Sequence, residues 1–110
     1  MADKPTALAQ PGLSGMSDLE ACSAAATRLL KLLASEQRLI LLCRLVESEC
    51  SVGDLADHVG LAPSAASQHL AKLRAEGLVA TRREGQTIYY RVADPAALKV
   101  LDALREIYRR

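Results

Sequence analysis

The stretch from Ser51 to Val92 constrains this chain most, because it reads as a helix, a glycine turn, a second helix and a basic hairpin in unbroken succession. Ser51 has a hydroxyl that can accept an orphan backbone N–H two or three residues on, and Asp54 adds negative charge to the first turn of the helix it opens. Val52, Leu55 and Val59 repeat at helical spacing, which makes one side of that helix apolar. Gly60 follows at once, where only glycine takes a left-handed backbone cheaply, so the chain turns sharply at Gly60 and Leu61. Pro63 then suits the first position of a new helix, since its missing N–H would have no partner there anyway.

Nothing breaks this second helix before about Ala75, and Gly77 ends it. Ala66, Leu70 and Leu73 fall on one buried stripe, leaving Ser64, Ser67, Gln68, Ala71 and Lys72 on or near the opposite side. That outward face is short, polar and poor in acid, as a helix lying in a major groove requires. Gln pairs with adenine, and Ser donates to or accepts from several base edges. Next come Leu78 to Arg83 and Thr87 to Val92, rich in β-branched residues and tyrosine and separated by Glu84, Gly85 and Gln86, which predicts a hairpin. Ile88, Tyr90 and Val92 alternate with Thr87, Tyr89 and Arg91, so the first set is expected to pack inward.

The layout is that of a winged helix-turn-helix, with the hairpin as the wing. From Ser64 to Arg91 the five bases Lys72, Arg74, Arg82, Arg83 and Arg91 outweigh the two acids Glu76 and Glu84, whereas the whole chain has a net charge of only +1. Positive charge is thus concentrated where DNA would sit. A short helix, a glycine and a second helix also occur in proteins that never touch DNA; the basic hairpin directly behind them is what favours DNA reading over a protein–protein adaptor.

The run LAPSAASQHLAKLRAEGLV from Leu61 to Val79, followed by TRREGQTIYY from Thr81 to Tyr90, resembles the DNA-reading core of the arsenic-repressor (ArsR) family. More narrowly it resembles the subgroup of the regulators HlyU, BigR and NolR. The similarity covers about residues 26–108. It implies a homodimeric winged-helix regulator, usually a repressor, with a palindromic DNA operator, no cofactor and no enzymatic activity. It places base reading on Ser64, Ser67, Gln68 and His69, with Arg82, Arg83 and Gln86 at the wing. Lys72, Arg82 and Arg83 are expected to clamp phosphates, and Arg74 is a further base expected at the DNA. His69 has a second reading, as a helix-packing residue. Ala62 departs from the family, which commonly carries a capping Ser or Thr there.

With 110 residues, no Trp, no Phe and three Tyr, the core must be built from Leu, Val, Ile and Ala, and such small chains often gain burial by dimerising. No apolar run is long enough for a membrane span, residues 1–16 lack the apolar core of a secretory signal, and three cysteines without a regular framework suit a reducing cytoplasm. Residues 1–16 carry Pro, Gly and Ser without periodicity and are expected to form an arm; residues 17–110 form the binding and dimerisation domain.

Within that domain Ser17 or Asp18 is expected to start a helix to about Leu33. Ser35 caps another from Glu36 to about Glu47, whose stripe is Leu39, Leu42, Cys43 and Val46, widened by Leu41 and Leu45. Asp94 and Pro95 open a last helix to about Tyr108, with Leu98, Leu101, Leu104 and Tyr108 on a face wider than one small protomer needs. The expected fold is mostly α, about five helices plus the wing, and the resemblance implies dimerisation through the first and last helices.

Three cysteines bear on sensing. Metal-sensing relatives carry a cysteine pair at the positions of Ser51 and Gly53, or last-helix ligands where this chain has Asp94, Ala96, Ile107 and Arg110, so neither metal site is expected. Cys43 matches the reactive cysteine of sulfide- and oxidant-responsive relatives, but its usual partner falls on Arg109. Cys43 is therefore expected to act alone, to use Cys22 or Cys50, or to be an inert small hydrophobe. Arsenite binding through Cys22, Cys43 and Cys50 is the alternative input. A hydrolase built on Cys43 with His58 and His69 lacks an orienting third group and an oxyanion loop.

Overall fold

The computed structural model of the protein describes residues 15–109. Residues 1–14 of the expected arm, and Arg110, lie outside the described residues. The chain divides into two compact units between Lys31 and Leu32. In the first, α1 (Met16–Ala21) and most of α2 (Ser23–Leu33) replace the single helix expected up to Leu33. The interruption is one residue long. The Cys22 amide is shared between the carbonyls of Asp18 and Leu19, which tightens the turn, and helical bonding resumes with Ala26 donating to Cys22.

The second unit begins at Leu32 and is built from capped helices. Ser35 accepts the Arg38 amide at 3.3 Å and opens α3 (Glu36–Glu47); Ser51 accepts the Asp54 amide at 3.2 Å and opens α4 (Val52–Val59). At the end of α4 Gly60 takes φ +78°, and the amides of Gly60 and Leu61 both return to the Ala56 carbonyl. The chain is thereby redirected into α5 (Pro63–Ala75), which Pro63 starts and Ala62 precedes without any side-chain cap. Asp94 Oδ1 accepts the Ala96 amide at 2.9 Å and opens α6 (Pro95–Ile107).

Between α5 and α6 lies the wing, β2 (Val79–Glu84) and β3 (Thr87–Val92), joined by a two-residue turn at Gly85 and Gln86 because Glu84 already pairs with Thr87. A third strand, β1 (Cys50–Ser51), pairs antiparallel with β3, giving the order β1-β3-β2. Sequence pattern missed it, since two residues cannot display an alternation.

Leu41 and Leu42 of α3, Leu55 of α4, and Leu70 and Leu73 of α5 are the largest fully buried side chains. Burying each removes apolar area worth roughly 1.5–3 kcal/mol from water, so this leucine cluster sets how α5 is held. The α3 stripe needs correction: its buried line is Leu41, Leu42 and Leu45, while Cys43 and Val46 are exposed and Leu39 is half-buried. Ile88, expected to pack inward, is also exposed, because the wing runs past the end of the core. Among the described residues no helix is long and apolar enough to cross a membrane.

Candidate nucleic-acid interface

The buried faces of Ala66, Leu70 and Leu73 turn the rest of α5 outward, so Ser64, Ser67, Gln68, Ala71, Lys72 and Arg74 are exposed and His69 is half-buried. Among the described residues, no side chain of Ser64, Ser67, Gln68, Lys72 or Arg74 makes an intramolecular hydrogen bond or ion pair. Their polar groups are free for a ligand. Two bases in the last turn oppose the negative end of the helix, and no acid lies in its first turn.

The wing is organised differently. Successive residues of a strand point to opposite faces, and directly paired residues share one. Val79, Thr81 and Arg83 therefore share a face with Val92, Tyr90, Ile88 and Cys50, whereas Ala80, Arg82 and Glu84 share the other with Arg91, Tyr89, Thr87 and Ser51. The first face is the core side, since Val79 and Cys50 are buried. Arg82 and Arg83, neighbours in sequence, thus diverge.

Arg82 is also occupied. Its Nε donates to Glu49 Oε1 at 2.7 Å, its Nη1 donates to Glu84 Oε1 at 2.8 Å, and its guanidinium carbon lies 4.8 Å from the Tyr89 ring centroid. The hydrogen bonds to Glu84 and Glu49 raise its pKa above an already high ordinary value. Arg83, Arg91 and Gln86 have no such partners among the described residues. Glu49 and Tyr89 escaped the sequence reading, because Glu49 lies 33 residues from Arg82 and outside the motif.

The cysteines occupy three environments. Cys22 is exposed in the first unit. Cys50 is buried in β1, its thiol 3.5 Å from the Ser48 carbonyl oxygen as a weak donor. Cys43 is exposed on α3 and lines a groove of about 430 Å³ with Leu39, Val46 and Glu47 on its own side and Leu98, Leu101, Leu104 and Tyr108 of α6 on the other. Burial, then the Glu47 carboxylate, push its thiol pKa up, which disfavours the reactive thiolate. Among the described residues no three His, Cys, Asp or Glu side chains gather as a metal site.

The sequence matches the family model described as bacterial regulatory protein, arsR family, over residues 35–81, which spans α3 to β2. The chain is 54% identical over 79 residues to the nodulation protein NolR of Rhizobium meliloti, covering 72% of this chain and 65% of that protein, slightly under two thirds of its length. It is 43% identical over 93 residues to the transcriptional activator HlyU of Vibrio cholerae, covering 84% and 86%. The crystal structure of the transcriptional repressor BigR from Xylella fastidiosa superposes with a TM-score of 0.80 at 38% identity, covering 86% of this chain and 96% of that one.

Proposed function

Because this chain belongs to the arsR family of bacterial regulatory proteins, and is a DNA-binding transcriptional regulator rather than an enzyme, we propose that it acts as a homodimer on a palindromic operator. In this reading Ser64, Ser67 and Gln68 meet base edges, His69 borders them, Lys72, Arg74 and Arg83 meet phosphates, and Gln86 lies at the wing tip. The supporting observation is the outward face of α5, whose polar groups are exposed and lack intramolecular partners among the described residues. The dimer reading is supported by α6 and its C-cap, where Leu98 is 40%, Ile107 67% and Tyr108 76% exposed in the single chain. Leu98 and Tyr108 border the groove between α3 and α6, and exposed apolar side chains there suit an interaction face; a twofold pair would offer two α5 helices one helical turn apart.

Repression is the proposed outcome, in line with the similarity to BigR, which is named a repressor. HlyU is named an activator, so a promoter-fused reporter with and without the protein decides the direction. The first test is titration of the protein's own upstream DNA at several salt concentrations. Nanomolar, salt-sensitive binding that survives competitor DNA is expected; weak binding indifferent to salt would favour a protein–protein adaptor.

The proposed input is modification of Cys43. The observation favouring it is the groove, where a group attached to Cys43 Sγ would stand against Leu98, Leu101 and Leu104 and press on the helix assigned to dimerisation. Arg109 replaces the second cysteine used by relatives, so the adduct would be carried by Cys43 alone. The raised thiol pKa makes reaction slow near neutral pH. The arsenite alternative has less support within the second unit, where Cys43 is exposed on α3 and Cys50 is buried in β1. Polysulfide or peroxide should release DNA from the wild type and not from Cys43→Ser; equal release from both would remove Cys43 from the input.

A further inference from the structure

We propose that Arg82 is a positioning residue of the wing and not a phosphate ligand, with Glu49 as its anchor and Arg83 left as the wing's phosphate contact. The inference rests on the DNA-binding reading and assigns the two adjacent arginines opposite tasks. Three contacts carry it. Arg82 Nε reaches Glu49 at 2.7 Å, in the link between α3 and β1; Arg82 Nη1 reaches Glu84 at 2.8 Å, at the edge of the wing's turn; and the guanidinium lies over Tyr89, its direct partner across the ribbon. One side chain therefore joins both strands of the wing to the segment that leads into α4.

The energetics favour keeping this arrangement on DNA. Arg82 already commits Nε and Nη1 to two carboxylates at charge-assisted distance and lies over the ring, so a phosphate could reach it chiefly at Nη2, close beside Glu49 and Glu84. That phosphate would stand against the charges of Glu49 and Glu84, and like charges there repel. Arg83 pays neither penalty, being exposed and without an ion pair among the described residues. It also projects from the opposite face of the strand, so one phosphate run would not engage both guanidinium groups from a fixed ribbon.

Wing position matters because the hairpin tip extends past the core, with residues 82–88 all exposed. Nothing buried there fixes its angle to α5. An exposed ionic network is weak when isolated, but here it ties the wing beside its turn to the link between α3 and β1, which is where modest energy has geometric leverage.

The experiment compares Glu49→Ala, Arg82→Ala, Arg82→Lys and Arg83→Ala on upstream DNA across a salt series, with thermal unfolding as a check on the fold. Glu49→Ala removes a negative charge, so electrostatics alone would tighten DNA binding. The proposal expects it to weaken specific binding by about threefold to fivefold, the range of an exposed ionic network. Arg82→Ala should weaken binding with the salt slope unchanged, whereas Arg83→Ala should lower the slope by about 0.9. Arg82→Lys, which keeps the charge but neither forks nor stacks, should resemble Arg82→Ala.

Tighter binding by Glu49→Ala, or a slope loss in Arg82→Ala equal to that of Arg83→Ala, would overturn the proposal. If the wild type shows no salt-sensitive DNA binding, the DNA-binding reading fails instead. The tether is then decided by backbone amide order parameters at residues 84–87 of the free protein: a fall in both Glu49→Ala and Arg82→Ala supports it, and unchanged values overturn it.

Discussion

Helix α5 and the wing carry the same job of presenting side chains outward, yet they are held by opposite means. The backbone of α5 satisfies itself, and Ala66, Leu70 and Leu73 are fully buried, so the core fixes its orientation. Ser64, Ser67, Gln68 and Lys72 can therefore be spared for a ligand. The wing beyond Val79 has no such anchor, and its side chains hold it instead, as Arg82 does with Glu49, Glu84 and Tyr89. An element docked on a core can leave all its exposed polar groups free; an element that outruns the core must use some of them on itself.

The comparison breaks most visibly at Leu70. Leu70→Ala should cost about 2–5 kcal/mol by leaving a cavity, enough to threaten a domain of this size, and DNA affinity should fall only as the folded fraction falls. Urea unfolding with parallel DNA titration checks this; affinity lost at full folded fraction would mean that the core does not simply hold α5. Next in size is the reading face. Gln68→Ala should cost about 1–3 kcal/mol of discrimination at one base position with little change in the salt slope, measured against a panel of single-base operator variants. Uniform weakening across that panel would place Gln68 on the backbone.

The backbone of the wing turn gives a smaller effect. Gly85 sits at φ +63° with nothing within 4 Å of an added Cβ, so Gly85→Ala meets strain alone and should cost about 1 kcal/mol. Thermal unfolding should report that loss, and an unchanged midpoint would show that the turn rearranges freely. At the start of α5 the sign reverses. Ala62 has an extended backbone and no side-chain cap bond, so Ala62→Ser should stabilise by about 0.5–1 kcal/mol, with any change in DNA affinity reporting a phosphate near the first turn. A destabilised Ala62→Ser variant would mean that the hydroxyl finds no amide.

How far these features were legible depends on how local their causes are. Caps at Ser35, Ser51 and Asp94, the turn at Gly60 and the start at Pro63 depend on a few adjacent residues, and sequence located them. The face of α5 followed from 3.6-residue periodicity, since Leu70 and Leu73 leave little choice about which side is buried. Pattern gave no distance from the core, so Ile88 looked internal, and the α3 stripe took in the exposed Cys43 and Val46 beside the buried Leu42, Leu41 and Leu45. Strand β1 was too short to alternate, and Glu49 reaches Arg82 only because β1 pairs with β3. Arg82 and Arg83 illustrate the same limit: adjacency in sequence reads as one basic patch, while the strand sets the two side chains on opposite faces.

The smallest effect concerns Cys43, which belongs to neither presenting element but lines the groove between α3 and α6. Burial first, then Glu47, raise its thiol pKa, so the fold favours the neutral form. Stability from this source is full below the ordinary thiol value and declines as pH rises through the raised one, because the unfolded thiol ionises first. Glu47→Gln removes only the second cause. It should lower the pKa part of the way and speed alkylation of Cys43 at neutral pH by about twofold, since the thiolate is the nucleophile. Peptide-resolved mass spectrometry of the native protein separates Cys43 from Cys22 and Cys50, with the rate followed from pH 7 to above the ordinary thiol value. An unchanged rate with the raised profile intact would assign the shift to burial alone, whereas a slower rate would reverse the sign argued for Glu47. Acceleration would mean that Glu47 restrains the thiol, and that the groove as folded keeps Cys43 less reactive than an open surface cysteine.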